Sequence, residues 1–373
     1  MRAIGCLDPN EEPKCTAHID GMVAMISDLI EKGFAYESDG HVFFDVSKYD
    51  DYGQLSGNNL ESLRGGDRVG EGEVARKRNA ADFVLWKPEL DGVGWDAPFG
   101  KGRPGWHIEC SAMAKAVLTD GTKSDTIDIH CGGVDLKFPH HENEIAQSNC
   151  SHDAPLANYW VHNEFLNMGD EKMSKSLGNV KLIHALRKDW DGEVIRLALL
   201  KAHYRSELVW TEDLLKESKV QLDGWYRYKK IYLGMVDIEC DVEAHIEELT
   251  KDLNTPEMLA DLDNLSDLIY EDIYKLAKDN NTDVIESEWL TYCDYDFLVR
   301  RANLLGLLQK VPDEWFKGGA SVDEEAEFDA IAMRRQEARA QKDWAAADAA
   351  RDEATAKGIV LEDGPDGTTW RKA

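Results

Sequence analysis

The segment from Thr126 to Gln147 constrains this chain most. It begins as a buried-strand pattern, Thr126-Ile127-Asp128-Ile129-His130, and turns at Cys131-Gly132-Gly133. Pro139 then opens a helix carrying His140, His141, Glu142, Asn143 and Glu144. Strand, Gly-rich turn and polar helix in direct succession mark an α/β fold. In open α/β sheets ligands bind at the carboxyl ends of strands, and glycine lets the backbone approach a ligand closely. A site next to Gly132-Gly133 is therefore expected.

The flanking regions differ in pattern. Upstream, Ile19, Met22, Val23, Ile26, Leu29 and Ile30 recur at helical spacing over Thr16 to Lys32, with Thr16 as N-cap and Gly33 as the stop. A hairpin turning at Ser38-Asp39-Gly40 follows, then a loop-rich stretch from Tyr49 to Gly72 and a short apolar run, Phe83 to Trp86. Cys110 to Leu118 reads as helix and Tyr159-Trp160-Val161 as a strand. Helical periodicity dominates from about Asp191 to Gln309, with a clear start at Asn254-Thr255-Pro256-Glu257: Thr as N-cap, Pro at the first helical position. After Gly318-Gly319 come helices over Glu324–Ala340 and Trp344–Lys357 and a strand-like tail. At ~150 residues per domain, 373 residues make two or three domains.

Chemistry concentrates in two places. Trp106-His107-Ile108-Glu109-Cys110 lies some thirty residues before His140-His141-Glu142-Asn143-Glu144. His140 and Glu144, four apart on a helix, project from one face. With Cys110 they make a mixed thiolate, imidazole and carboxylate set that suits Zn²⁺. The plainer alternative is a solvated helix N-terminus near a buried Cys. A metalloprotease motif is disfavoured because position 145 is Ile. The second place is Lys172-Met173-Ser174-Lys175-Ser176, flanked by Gly169 and Gly178. Such a cationic loop can close on a triphosphate and stabilise the leaving pyrophosphate, or it is an exposed Lys/Ser loop and nothing more.

Charge sets bounds without deciding. Asp and Glu number 72 against 43 Lys and Arg, a net of −29. That predicts repulsion from polyanions, yet a high-salt host imposes the same skew on any protein. No run approaches ~18 apolar residues, which excludes a membrane-spanning helix. The start, MRAIGCLDPNEEPK, has no secretory h-region. Seven scattered Cys fit a reducing compartment, so a cytoplasmic location is expected.

The context of these motifs resembles one family. KMSKSLGN (172–179) is the second signature of class I aminoacyl-tRNA synthetases. GWHIECSAMA (105–114) and DIHCGGVDLKFPHHENEIAQS (128–148) resemble cysteinyl-tRNA synthetases in particular, as do LSGN (55–58), HYRSEL (203–208), NTPE (254–257), LGLLQ (305–309) and KDWAAADAARDEATAKGIVLEDGPDGTTWR (342–371). The resemblance covers essentially the whole chain. It implies a Rossmann-type catalytic domain with a β-containing insertion, a helical bundle and a small C-terminal domain, divided as 1–104, 105–190, 191–317 and 320–373. It implies ATP-dependent activation of cysteine and transfer to tRNA(Cys) by a monomer, with ATP and Mg²⁺ and one Zn²⁺ per chain. The zinc ligands fall on Cys110, His140 and Glu144. Trp106, His130 and Asp135 fall in the amino-acid pocket, and Lys172 and Lys175 in the ATP loop.

Two departures qualify this. The family's first Rossmann half, with its HIGH signature and a first zinc-ligand Cys, has no counterpart here. The resemblance thus implies a chain truncated at its N-terminus and impaired by itself. Cys131 stands where the family usually has Gly; Cys6, Cys15 or Cys131 is either a substitute ligand or a small buried residue. The arginines at 334, 335, 339, 351 and 371 meet tRNA phosphates or line a solvated face. A ligase acylating an amino-sugar and a non-catalytic zinc- and tRNA-binding relative are the alternative functions.

Overall fold

A computed structural model describes residues 1–58, 75–89, 92–119, 126–169, 171–173, 178, 180–234, 246–279, 285–364 and 367–372. The chain forms two compact units, one of residues 8–166 with 204–208, the other of 1–7, 167–203 and 209–373.

In the first unit, helix α1 (Ile19–Glu31) buries Met22, Met25, Ile26 and Leu29. Thr16 is not its cap: it lies in a 3₁₀ turn (Cys15–Ala17), and His18 precedes the helix with no side-chain cap. Strands β1 (Ala35–Ser38), β2 (His41–Phe44), β3 (Phe83–Pro88) and β4 (Gly102–Pro104) form an antiparallel sheet in sequential order. Asp39 and Gly40 both take positive φ, 48° and 73°, as the favoured two-residue hairpin turn demands. Val42, Phe44, Leu85 and Trp86 from this sheet join α1 and Ile108 in one apolar core. The residues expected to form the insertion and those of the α/β segment thus share a core.

Helix α2 (Trp106–Leu118), strand β5 (Ile127–Gly133), helix α3 (Glu142–His152) and strand β6 (Ala157–Asn163) follow. β5 and β6 pair in parallel, so β5–α3–β6 is a βαβ unit, the element of a doubly wound sheet. Cys131-Gly132-Gly133 does not turn the chain; it is the last part of β5, paired with Val161, His162 and Asn163. A side chain at Gly132 is excluded by space, since a Cβ there would stand 2.6 Å from His141 Cε1. Pro139 does open the helix: Phe138 is the one extended residue in Lys137–His141 (φ −140°, ψ 133°), and from Pro139 the backbone passes through a wide π-turn at His140 and His141 into regular α3 at Glu142.

The second unit is mostly helical. Helices α4 (Gly192–Leu200), α5 (Glu212–Gly234), α6 (Thr255–Asp279) and α7 (Ile285–Leu304) are its longest elements before the C-terminal part. They bury Leu222, Trp225, Tyr226, Leu262, Ile269, Leu298 and Leu307 among others. The cap of α6 is Asn254 rather than Thr255: Asn254 Oδ1 accepts from the Glu257 N–H, while the Thr255 hydroxyl donates to the Leu200 carbonyl. Helices α8 (Val322–Ala340) and α9 (Trp344–Ala356) pack with the antiparallel hairpin β7 (Ile359–Gly364) and β8 (Gly367–Lys372) around Phe328, Ile331 and Trp370. The strand-like tail is thus one arm of a hairpin. Among the described residues no helix is long and apolar enough to cross a membrane.

Candidate functional site

Four elements of the first unit converge on one carboxylate. The start of α2 is tied to β3 by the Gly105 N–H donating to the Leu85 carbonyl, 2.8 Å, and α2 carries Trp106, His107 and Cys110. The turn before α3 presents His140 and His141, and α3 itself presents Glu144. β5 brings His130, and the parallel register sets Trp160 beside His130 and His162 beside Gly132.

Glu144 is only 1 % exposed. Its Oε1 lies 2.6 Å from His140 Nε2, and its Oε2 lies 2.8 Å from His130 Nε2. Neither contact has the angle of a proper hydrogen bond, so both oxygens are approached closely by imidazole nitrogen without being fully satisfied. Ligand atoms of Cys110, His140 and Glu144 lie within 4.8 Å of one another, and so do those of His130, His141 and Glu144. The other ring nitrogens of the two buried histidines are engaged. His140 Nδ1 is 2.8 Å from His107 Nδ1, and His141 Nδ1 is 2.8 Å from His162 Nε2. The first pair leaves His140 Nε2 directed to Glu144, the outer support that orients metal-binding imidazoles.

The electrostatics follow from burial. Cys110 is pushed up to about 12, first by burial and then by the Glu144 charge, so without a cation it is a neutral thiol. Burial works to raise Glu144 too, but the His130 and His140 nitrogens at its oxygens hold it down to about 2. His107 and His141 are lowered to about 4, mainly by burial. A soft sulfur donor, imidazole nitrogens and a buried carboxylate lacking hydrogen bonds together fit a zinc-like cation, which would satisfy the carboxylate and favour the thiolate.

These imidazoles also make a pH prediction for the chelator-treated chain. Their folded values lie below the ordinary 6.5, so on acidification the unfolded chain takes protons first. Their share of stability is intact above about 6.5 and is lost as pH falls toward about 4. The melting temperature should drop more steeply across that window than in His107→Asn; parallel curves would contradict the burial argument.

Trp106 stacks on His140 with ring centroids 4.2 Å apart, while remaining 59 % exposed. Of the residues expected from sequence, Trp106, Cys110, His130, His140 and Glu144 thus come together. Asp135 lies apart, exposed on the turn after β5. Lys172 belongs to a two-residue strand paired with Asn167 in the other unit, and Lys175 lies outside the described residues. Cys131 is exposed and alternates with His130 across the strand, Cys15 bonds toward Glu109, and Cys6 belongs to the other unit. None of the three is in either donor set. Sequence reasoning left His141, Trp160 and His162 without roles. The signal lay in the βαβ pattern, because parallel pairing carries residues of the second strand beside the end of the first.

Comparisons with known proteins show the family. Residues 1–220 match the family described as tRNA synthetases class I (C) catalytic domain, and residues 322–371 match the cysteinyl-tRNA ligase anticodon binding domain. The chain is 50 % identical over 379 residues to a cysteine–tRNA ligase of Maricaulis maris, covering 100 % of this chain and 77 % of that protein. It is 43 % identical over 385 residues to a cysteine–tRNA ligase of Shewanella putrefaciens, covering 99 % and 77 %. In structure it is similar to methionyl-tRNA synthetase of Mycobacterium tuberculosis in complex with methionyl-adenylate. The TM-score is 0.58 at 15 % identity, over 84 % of this chain and 77 % of that one, a likeness of fold alone. With both family domains in order along the chain and half of its residues identical to those of a cysteine–tRNA ligase, the chain belongs to the cysteine–tRNA ligases, class I synthetases that use ATP to aminoacylate tRNA.

Proposed function

We propose that Cys110, His140 and Glu144 hold a zinc ion in the cysteine pocket. We further propose that Trp106 walls this pocket, with His130 and Asp135 on the same segment, and that Lys172 and Lys175 act on ATP. The reading rests on one observation: a buried carboxylate without hydrogen bonds, faced by imidazole nitrogen and a thiol. Zinc bound there would supply a soft Lewis-acidic contact for the substrate thiolate, which the hydroxyl of serine matches poorly.

The chain's own groups do the rest. His107 fixes the ring of His140 through the Nδ1 contact, and the exposed indole of Trp106 is free to cover a small side chain. In the overall reaction the cysteine carboxylate attacks the α-phosphorus of ATP and pyrophosphate departs. A hydroxyl of the terminal ribose of tRNA then attacks the acyl carbon and AMP departs. The ammonium groups of Lys172 and Lys175 neutralise charge on the departing pyrophosphate, with Mg²⁺ as the nucleotide's counter-ion.

Residues 191–317 and 320–373 are taken as the tRNA-binding bundle and anticodon domain, following 1–104 and 105–190, in a monomer working in the cytoplasm. The C-terminal arginines are tied up in ion pairs: Arg334 with Glu353, Arg335 and Arg339 with Asp363, Arg351 with Asp348, and Arg371 with Glu362. The exposed pairs at Arg334 and Arg351 contribute only ~0–1 kcal/mol, so phosphates can compete for them, whereas Arg335 is largely buried and also donates to the Ala347 carbonyl.

Metal analysis of the purified chain against Cys110→Ser tests the zinc reading. Zinc is expected in the parent and strongly reduced in the variant; equal zinc in both would sink it.

A further inference from the structure

The face of α3 opposite the donor cluster is clamped, and the mechanism makes no use of the clamp. Glu142 is 0 % exposed. The backbone N–H of Gly53 donates to its Oε1 at 2.8 Å, and that of Ser56 donates to its Oε2 at 2.9 Å. Beside it, the Tyr52 hydroxyl donates to Asn143 Oδ1. The clamping loop is itself closed, with the Gly57 N–H donating to the Gly53 carbonyl at 2.8 Å. Gly53 takes φ +99°, and a Cβ there would stand 2.0 Å from the Asn58 carbonyl oxygen. The loop can therefore form only with glycine at that point, and it presents two amide hydrogens to one carboxylate.

Helical geometry says what this does. At 100° per residue, position 142 points about 200° away from position 140 and a similar angle from 144. His140 and Glu144 face the cluster while Glu142 grips the other side. Ligand atoms stand roughly 6 Å from the helix axis, so a 10° rotation of the turn carries each by about 1 Å. A metal site tolerates about 0.2 Å. Two hydrogen bonds from a closed loop onto one buried carboxylate resist that rotation.

We infer that Glu142, held by the Gly53 and Ser56 amides, is a positioning residue that sets the angle at which His140 and Glu144 meet the metal. The inference rests on the zinc reading above. It touches neither metal nor substrate and acts through the rotation of α3 alone. Asn149 supplies a control. It fastens the same helix two turns further on, its Nδ2 donating to the Tyr49 hydroxyl at 2.9 Å and its Oδ1 accepting from the Leu156 N–H.

The test is competition for zinc between the full chain and a chromophoric chelator. It compares the parent, Glu142→Gln, Glu142→Ala, Asn149→Ala and Cys110→Ser. Glu142→Gln keeps the shape but sets an amide against an N–H donor, and zinc affinity should fall about 10-fold; Glu142→Ala should lose about 100-fold, the range of outer-shell effects. Asn149→Ala should lower the melting temperature yet stay within about twofold in zinc affinity, because it loosens the far end of α3. Parental affinity in Glu142→Gln would overturn the positioning role, as would an equal loss in Asn149→Ala. If Glu142→Ala does not fold, Glu142→Gln alone decides. Parental affinity in Cys110→Ser is a different failure, that of the zinc reading itself.

Discussion

Glu193→Ala is expected to destabilise the larger unit by several kcal/mol. Glu193 is buried at the start of α4. Its carboxylate accepts from the Tyr226 hydroxyl at 2.8 and 3.0 Å, from the Leu308 N–H at 2.8 Å and from the Gln309 N–H at 3.1 Å. The Tyr226 oxygen in turn accepts from the Lys310 N–H at 3.0 Å. One side chain thus binds α4, α5 and the turn after α7. Alanine leaves three donors facing an apolar gap, at roughly 1–3 kcal/mol for each one orphaned. A loss on the order of 3–9 kcal/mol follows if water does not fill the space. Burial raises the Glu193 carboxyl, so the folded protein keeps this proton to a higher pH than the unfolded chain. The sign is then opposite to that of the histidines: this group's share of stability is present at low pH and declines as pH rises through its folded value. Glu193→Gln retains the shape and one acceptor oxygen, and should cost less than alanine. Chemical denaturation of parent, Glu193→Gln and Glu193→Ala checks the order; an alanine variant within about 1 kcal/mol of the parent would show that the network contributes little.

The second large effect is at Glu144, which belongs to both donor sets. Cys110→Ser breaks one set and leaves His130, His141 and Glu144 in place. Glu144→Ala breaks both. Zinc affinity should therefore fall further in Glu144→Ala than in Cys110→Ser, by ~10³ or more relative to the parent, beyond the 10–100-fold of outer-shell changes. The same substitution removes the charge that helps hold up the Cys110 thiol, so alkylation of Cys110 in the metal-free chain should quicken at a fixed alkaline pH. Equal zinc loss in the two variants would mean that the set with His130 and His141 has no affinity of its own. Slower alkylation would contradict the electrostatic account.

Much of this protein was legible in residue order. Helical spacing located α1, α8 and α9 to within a few residues, because amphipathic periodicity is a property of neighbours along the chain. Asp39-Gly40 announced its hairpin, since few residues accept positive φ twice in succession. The i, i+4 spacing of His140 and Glu144 already put two donors on one face, and the motif blocks carried the family.

Other features belong to the tertiary structure alone. Gly132-Gly133 reads locally as a turn, but β6 supplies strand partners and His141 takes the space a side chain would need. Thr16 and Thr255 read as caps; which residue caps depends on where the chain enters the helix. The second donor set, the His141–His162 contact and the clamp on Glu142 join residues distant in sequence, and the C-terminal arginines meet acids from neighbouring elements. Sequence determined the elements and the chemical types because periodicity, turn chemistry and spacing are short-range. Parallel register, helix rotation and the pairing of buried polar groups are settled only when non-local packing closes the core, and those decided the geometry around Glu144.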